Sequence, residues 1–157
     1  METLTRTPTF GQTTIRIETQ HPTQFIDLTD EVTALVEASK VQTGLVTIQA
    51  LHTTTAIVVN EHDPPLLSDM AAMLERIAPQ DGFYRHDNVG LRSSNCVLAD
   101  RPNGHSHCRA LLLAPSVTLN IAVGRLQLGT WQRIFLVELD GPRTRSVSVV
   151  AIGEGES

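Results

Sequence analysis

The stretch from Leu45 to Val59 constrains the fold more than any other part of the chain. It is rich in Val, Ile and Thr, residues that fit a pleated, half-buried surface. Its length suits one bent strand or two. Period-two alternation puts Val46, Ile48, Ala50, Ala56 and Val58 on one face. His52, Thr54 and Asn60 fall on that same face. An imidazole, a hydroxyl and a carboxamide in an apolar face are either hydrogen-bonded inside the core or gathered at a site.

The rest of the chain reads as strands with helices between them. Gly11 to Thr19 alternates, with Thr13, Ile15 and Ile17 against Gln12, Thr14, Arg16 and Glu18, which predicts an amphipathic strand. Asp27 to Lys40 carries Leu28, Val32, Leu35 and Val36 at helical spacing, with Asp27 or Thr29 as N-cap and Gly44 just past the end. Pro64 and Pro65 open a second helix, whose apolar stripe is Leu66, Leu67, Met70, Met73, Leu74 and Ile77; Pro79 and Gly82 end it. Phe83 to Gly104 reads as a long irregular segment, the kind that often carries function. His105 to Leu113 suits a short helix with Ala110, Leu111 and Leu113 inward. Ser116–Val123 and Arg125–Gly129 read as a hairpin around Gly124. Trp131–Leu139 and Arg145–Ile152 are the last strands. The expected class is α+β: a compact single domain over residues 1–157, with a largely antiparallel sheet, two main helices and a flexible or extended arm at residues 1–9.

Composition narrows the function classes. The chain has 157 residues, which fits one domain of about 100–200. At 41% hydrophobic and 18% charged, disorder is excluded. Aromatics are only 4%, so the core rests on Leu, Val, Ile and Ala. The net charge is −5 and the one lysine is Lys40. No basic stripe is available to neutralise phosphates, which argues against nucleic acid as partner. No apolar run is long enough to span a bilayer. Two cysteines, Cys96 and Cys108, are too few for a secreted disulfide scaffold. The expected setting is the cytoplasm, and Cys108 is expected to be a small buried apolar residue.

Several residues invite chemistry. His86, His105 and His107 lie on expected loops or turns, and histidine serves both as metal ligand and as acid or base. On a helix, His105 and His107 would diverge. Glu61 and Glu138 are the acidic candidates. Glu138 shares a strand face with Ile134 and Leu136, so its carboxylate is either ion-paired or perturbed for catalysis. Arg143 and Arg145, after Asp140-Gly141-Pro142, either grip a phosphate or carboxylate or form a solvated strand end. A metal site and a metal-free acid/base site both remain open.

Six blocks together resemble the YjbQ family: His52-Thr53-Thr54, Asn60-Glu61, Tyr84-Arg85-His86-Asp87, Asn103-Gly104-His105-Ser106-His107, Gly129-Thr130-Trp131-Gln132 and Glu138-Leu139-Asp140-Gly141-Pro142-Arg143. Their order and spacing span nearly the whole chain. The resemblance implies a compact α+β fold assembled as a homotrimer. It also implies a thiamine-phosphate-synthase type of activity, which joins a hydroxymethylpyrimidine diphosphate to a thiazole phosphate and releases pyrophosphate. Carried over residue by residue, it implies His52, His86 and His107 as the central polar set, acting as acid/base groups or as ligands of a divalent ion, Mg2+ or Zn2+. Glu138 or Glu61 would orient them. Arg143 and Arg145 would bind phosphate, with Thr54, Asn60 and Thr130 completing the substrate contacts. Many relatives place Asn where His62 stands here, so His62 is either an added ligand or a solvated loop residue. The alternatives are a metal-dependent hydrolase and a non-catalytic trimer that binds a metal or a small phosphorylated molecule.

Overall fold

The computed structural model describes residues 6–91 and 101–156. The elements run β1 (Arg6–Glu18), β2 (Gln24–Asp27), α1 (Thr29–Ser39), β3 (Val41–Ala50), β4 (Thr55–Asn60), α2 (Pro64–Ile77), α3 (Gly104–Leu112), β5 (Ser116–Ala122), β6 (Arg125–Leu126), β7 (Arg133–Glu138) and β8 (Thr144–Glu156), with short 3-10 turns at Arg85–Asp87 and Val89–Leu91. Two sheets form, ordered β1-β8-β3-β5-β6 and β2-β7-β4. Every described pairing is antiparallel. The fold is α+β, with a third helix and with two sheets rather than one.

β7 explains the layering. Ile134, Phe135, Leu136 and Val137 are all fully buried, and a strand apolar on both faces must be covered on both. Ile134 and Leu136 pack into the main core with Leu28, Val32 and Val36 around α1 and with Val46, Ile48, Val147, Val149 and Ala151 of the larger sheet. Val137 turns the other way, toward Ala56, Leu139 and Leu74 of α2, with Ala110 and Leu113 beside them. Each such side chain contributes about 1.5–3 kcal/mol on burial. The larger sheet and α1 thus lie to one side of the three-stranded sheet, and α2 and α3 to the other.

The Leu45–Val59 stretch is two strands in different sheets. Hydrogen bonds from Ala50 N to Pro115 O (2.9 Å) and from Leu51 N to Ser146 O (3.1 Å) hold the chain to the larger sheet; Leu139 N to Thr54 O (3.2 Å) then ties it to the smaller one. His52 therefore sits in the crossing rather than mid-strand, and the single polar-and-apolar face expected there does not form.

Other boundaries moved for local reasons. β1 starts at Arg6 because it pairs with β8 over its whole length, from Arg6↔Glu156 to Glu18↔Thr144; residues 1–5 of the expected arm lie outside the described residues. Asp27 ends β2, yet its Oδ1 still accepts the Thr29 N–H (2.9 Å) and hydroxyl (2.6 Å) at the start of α1. That helix stops on Lys40 at φ 63°, not at Gly44. Gly44 is inside β3, where an added Cβ would overlap the Ile152 carbonyl. Asp63 caps α2 by accepting the Leu66 N–H at 3.2 Å. In α3 Leu111, expected to face inward, is 84% exposed, while Arg109 is 1% exposed. Cys108 is exposed, against the expectation that it is buried; Cys96 and Asp100 lie outside the described residues. Among the described residues, no helix is long and apolar enough to cross a membrane.

Candidate functional site

Glu138 ends β7 and is fully buried. Its Oε1 accepts the backbone N–H groups of Leu139 (2.9 Å), Asp140 (2.8 Å) and Gly141 (2.8 Å) together with Arg145 Nη2 (2.6 Å). Its Oε2 faces Arg145 Nε (2.6 Å) and the Thr19 hydroxyl (2.9 Å). Three successive N–H groups can point at one oxygen only if the chain turns sharply. Gly141 permits this, since an added Cβ would stand 2.7 Å from Glu138 Cγ. Burial alone would push this carboxyl up, but the Arg145 hydrogen bonds, the Asp140 and Gly141 N–H groups and the Arg145 charge outweigh it and hold the pKa at about 2. The geometry realises the ion-pair reading of Glu138 and gives the partner as Arg145, not Arg143. Arg145 is itself buried and spends Nη2 also on Thr54 Oγ1 at 2.9 Å. Thr54, Glu138 and Arg145 together brace the turn.

What the turn presents is Asp140 and Arg143. Arg143 Nε donates to Asp140 Oδ2 at 2.7 Å, and the Arg143 side chain is 31% exposed. Its backbone N–H donates to the Thr19 hydroxyl at 2.8 Å. Among the described residues, the two terminal nitrogens of Arg143 have no hydrogen-bond partner. Arg101 approaches from the other side, with Nε 3.4 Å from Asp140 Oδ1 and Nη2 donating to Pro142 O at 3.3 Å.

Asp140 also anchors the start of α3. Asn103 Nδ2 donates to Asp140 Oδ2 at 3.2 Å. Asp87 Oδ1 accepts the N–H groups of Asn103 (2.9 Å) and Gly104 (2.8 Å), which ties the Tyr84–Asp87 block to the helix start. Gly104 is required there, because an added Cβ would overlap the Tyr84 side chain. The result brings His86 and His107 together, with ring centroids 4.6 Å apart at 67°. His105 diverges from His107 as helical spacing predicts. It is buried, and burial followed by the Arg109 charge lowers its pKa.

His52 belongs to the Arg145 end of this assembly. Its Nε2 accepts the Ser146 N–H at 2.8 Å, so the neutral ring carries its proton on Nδ1. Burial, then the Arg145 charge, lowers its pKa against the opposing pull of Glu138. Among the described residues, no three His, Cys, Asp or Glu side chains stand close enough to hold a metal ion. His52, His86 and His107 are therefore not a ligand shell within one chain.

The remaining expected site residues lie elsewhere. β4 pairs with β7 so that Thr55 faces Glu138 and Asn60 faces Arg133, five residue steps away, or about 17 Å. Asn60 is exposed at that far end and edges an apolar cavity lined by Phe25, Val58, Met70, Met73, Leu74, Leu113 and Val137. Glu61 follows it, exposed, and Thr130 is exposed just before β7. His62 has a partner there: its Nδ1 is 3.1 Å from Asp27 Oδ2, beside Arg133 Nε at 2.7 Å.

Asp140, Asn103, Arg101, Asp87 and Thr19 were not singled out from the sequence. For Asp87 and Asn103 the signal is their place inside the blocks Tyr84–Asp87 and Asn103–His107, which carry the family resemblance. Asp140 was read only as part of an Asp-Gly-Pro turn. Thr19 carries no local mark, since its partners lie more than a hundred positions away.

The comparisons agree with this architecture. The family profile described as UPF0047 protein YjbQ-like matches residues 13–154. A UPF0047 protein of Methanothermobacter thermautotrophicus is 37% identical over 138 residues, covering 88% of this chain and 89% of that protein. One from Archaeoglobus fulgidus is 38% identical over 138 residues, covering 88% and 98%. The solved structure of a YbjQ-like protein of unknown function from Sulfolobus solfataricus superposes with a TM-score of 0.83 at 31% identity, covering 94% of this chain and 99% of that one. With most of its length matched in sequence and in fold, the chain belongs to the UPF0047 YjbQ-like family.

Proposed function

We propose that the rim of the β7–β8 turn binds a small phosphorylated molecule, and that the chain is a cytoplasmic transferase of the thiamine-phosphate-synthase type. One observation carries this reading: Arg143 is fixed through Nε to the buried Asp140 while its terminal nitrogens stay without a partner among the described residues. An arginine held by one nitrogen and open at the other two is suited to a phosphate, which takes the free pair bidentately. Arg101 adds a second positive charge beside it, and a reaction that releases pyrophosphate needs such charge where the leaving group forms. His86 and His107, paired beyond the helix start, are the acid/base candidates. The three-histidine set does not fit a metal shell within one chain, so no step is routed through a metal.

The test is titration with inorganic pyrophosphate, followed by an assay of pyrophosphate release from the pyrimidine diphosphate and thiazole phosphate pair. Arg143→Ala should weaken pyrophosphate binding by roughly 1.5–3 kcal/mol, the range for hydrogen bonds to charged groups. Arg143→Lys should recover only part of it, because lysine restores the charge without the fork. Unchanged affinity in Arg143→Ala would remove the reading. Binding without turnover would favour the non-catalytic alternative.

A homotrimer belongs to the same proposal. Phe10, Ile152 and Leu45 are cross-strand neighbours on β1, β8 and β3. They are 70%, 61% and 45% exposed, an apolar row that a second copy of the chain would cover. Light scattering at micromolar concentration checks it; a monomer would count against it.

A further inference from the structure

Among the described residues, three buried acceptor atoms make no hydrogen bond where α3 meets the β7–β8 turn: Asp140 Oδ1, Asn103 Oδ1 and His105 Nδ1. Their side chains fix one another's roles. A carboxylate only accepts, so Asn103 must turn Nδ2 toward Asp140, which leaves its oxygen over. Ser106 Oγ lies 2.6 Å from the Leu139 carbonyl and spends its one proton there. The 3.0 Å contact between Ser106 Oγ and His105 Nε2 then requires the imidazole proton on Nε2, and Nδ1 keeps a lone pair. Asn103, His105 and Asp140 are 7%, 3% and 4% exposed. Buried polar atoms in native proteins are paired with protein or with bound water almost without exception, so three of them, on the hydrogen-bonded pair Asn103 and Asp140 and on His105 two positions along α3, point to an occupant.

By composition, Asp, Asn and His suit a divalent cation. The charge around them does not. Arg143 Nε is 2.7 Å from one Asp140 oxygen and Arg101 Nε is 3.4 Å from the other. Burial, and after it the Arg109 charge, opposes protonation of His105, with Asp140, Asp87 and Glu75 pulling the other way. Asp140, the one carboxylate among the three, already faces two guanidinium groups, which leaves it little charge to offer a metal ion. Arg101 Nε and Asp140 Oδ1 face each other as an ion pair at 3.4 Å, and neither makes a hydrogen bond among the described residues.

We propose that Asn103, His105 and Asp140 form a buried site for a neutral hydrogen-bond donor, filled by water in the ligand-free protein, and not for a metal ion. The site keys the start of α3 to the turn that carries Arg143. It stands on the unpaired atoms alone and does not depend on the phosphate reading.

The experiment is a high-resolution crystal structure of the unmodified chain, soaked in Zn2+ and, separately, in acetamide. The expected result is a density peak with no zinc anomalous signal, about 2.7–3.2 Å from at least two of the three acceptors. Acetamide nitrogen replacing that peak assigns the site to a ligand N–H group; a peak unchanged by acetamide assigns it to water. Either is a neutral donor. Zinc anomalous density at roughly 2.0–2.2 Å from these atoms, or no peak beside them, overturns the proposal. Nitrogen-15 spectra of the histidines give a second readout that needs no variant: His105 is expected as the neutral Nε2–H form at pH 7, and the Nδ1–H form would remove one of the three acceptors.

Discussion

At one end of β7 Glu138 meets Arg145; at the other Arg133 meets Asp27. Both carboxyls have pKa values of about 2. At Asp27, burial works upward and is outweighed by the Thr29 hydroxyl and by Arg133. The surroundings differ more than the values. Glu138 and Arg145 are sealed, and every oxygen lone pair facing the turn is in use. Arg133 is 38% exposed and shares itself between Asp27 and the exposed Asp30. A strongly lowered pKa thus marks two pieces of scaffold, a turn and a helix start. The groups with unused bonding capacity are Asp140 and Arg143, at the rim of the turn. Here the incomplete hydrogen-bond inventory is a better guide to a binding site than the most perturbed acid.

The sharpest way to break the comparison is Glu138→Gln. It leaves Arg145 charged and buried, and turns an amide N–H toward backbone donors. The expected loss is about 3–5 kcal/mol in denaturant unfolding; a loss under about 1 kcal/mol would make the two pairs equivalent. The double change Glu138→Leu with Arg145→Met should be milder than Glu138→Gln, since no charge is stranded. Its recovery should be partial, because the Asp140 and Gly141 N–H groups still lose their acceptor. Acid should then act on both ends. Each folded pKa lies below its ordinary value of 4.5 or 3.8. The stability each contributes is therefore complete above the ordinary value and is lost as pH falls through it toward about 2. In Glu138→Gln the acid-dependent loss over that window should shrink. The smallest effect is at Asp27→Asn, about 1 kcal/mol. Molar salt should reduce it, because an open pair is screened, while leaving the Glu138 loss nearly unchanged.

The parts of the fold that could be read in advance are those where neighbours in sequence decide the outcome. Asp63-Pro64-Pro65 starts α2 by capping and by fixed φ, and the alternation of Thr13, Ile15 and Ile17 marks a strand whatever its partner. The break at Leu51–Thr54 was hidden because His52-Thr53-Thr54-Thr55 is as β-prone as its flanks. Only the bonds to Pro115, Ser146 and Leu139 split it. The site was half legible for the same reason. His86 and His107 meet, while His52, the third of the expected set, lies at the Arg145 end. Arg143 and Arg145, two residues apart on an extended segment, look interchangeable until the turn sends one into the core and the other to the rim. Arg109 gave no sign of burial, since its partners are Thr23 and, at the end of α2, Glu75 and Ala78, all remote from it in sequence.

The ladder between β1 and β8 has a consequence for how the chain is made. Its closest partners in sequence, Glu18 and Thr144, are separated by 126 positions. β1 leaves the ribosome ahead of β8 and finds its neighbour only after the intervening chain has been synthesised, at about 5–20 residues per second. For those seconds it is an unpaired strand with Phe10 in the open. The larger sheet cannot set β8 between β1 and β3 until β8 has been synthesised, so folding of this sheet waits on that strand and is slowed by the long loop it must close.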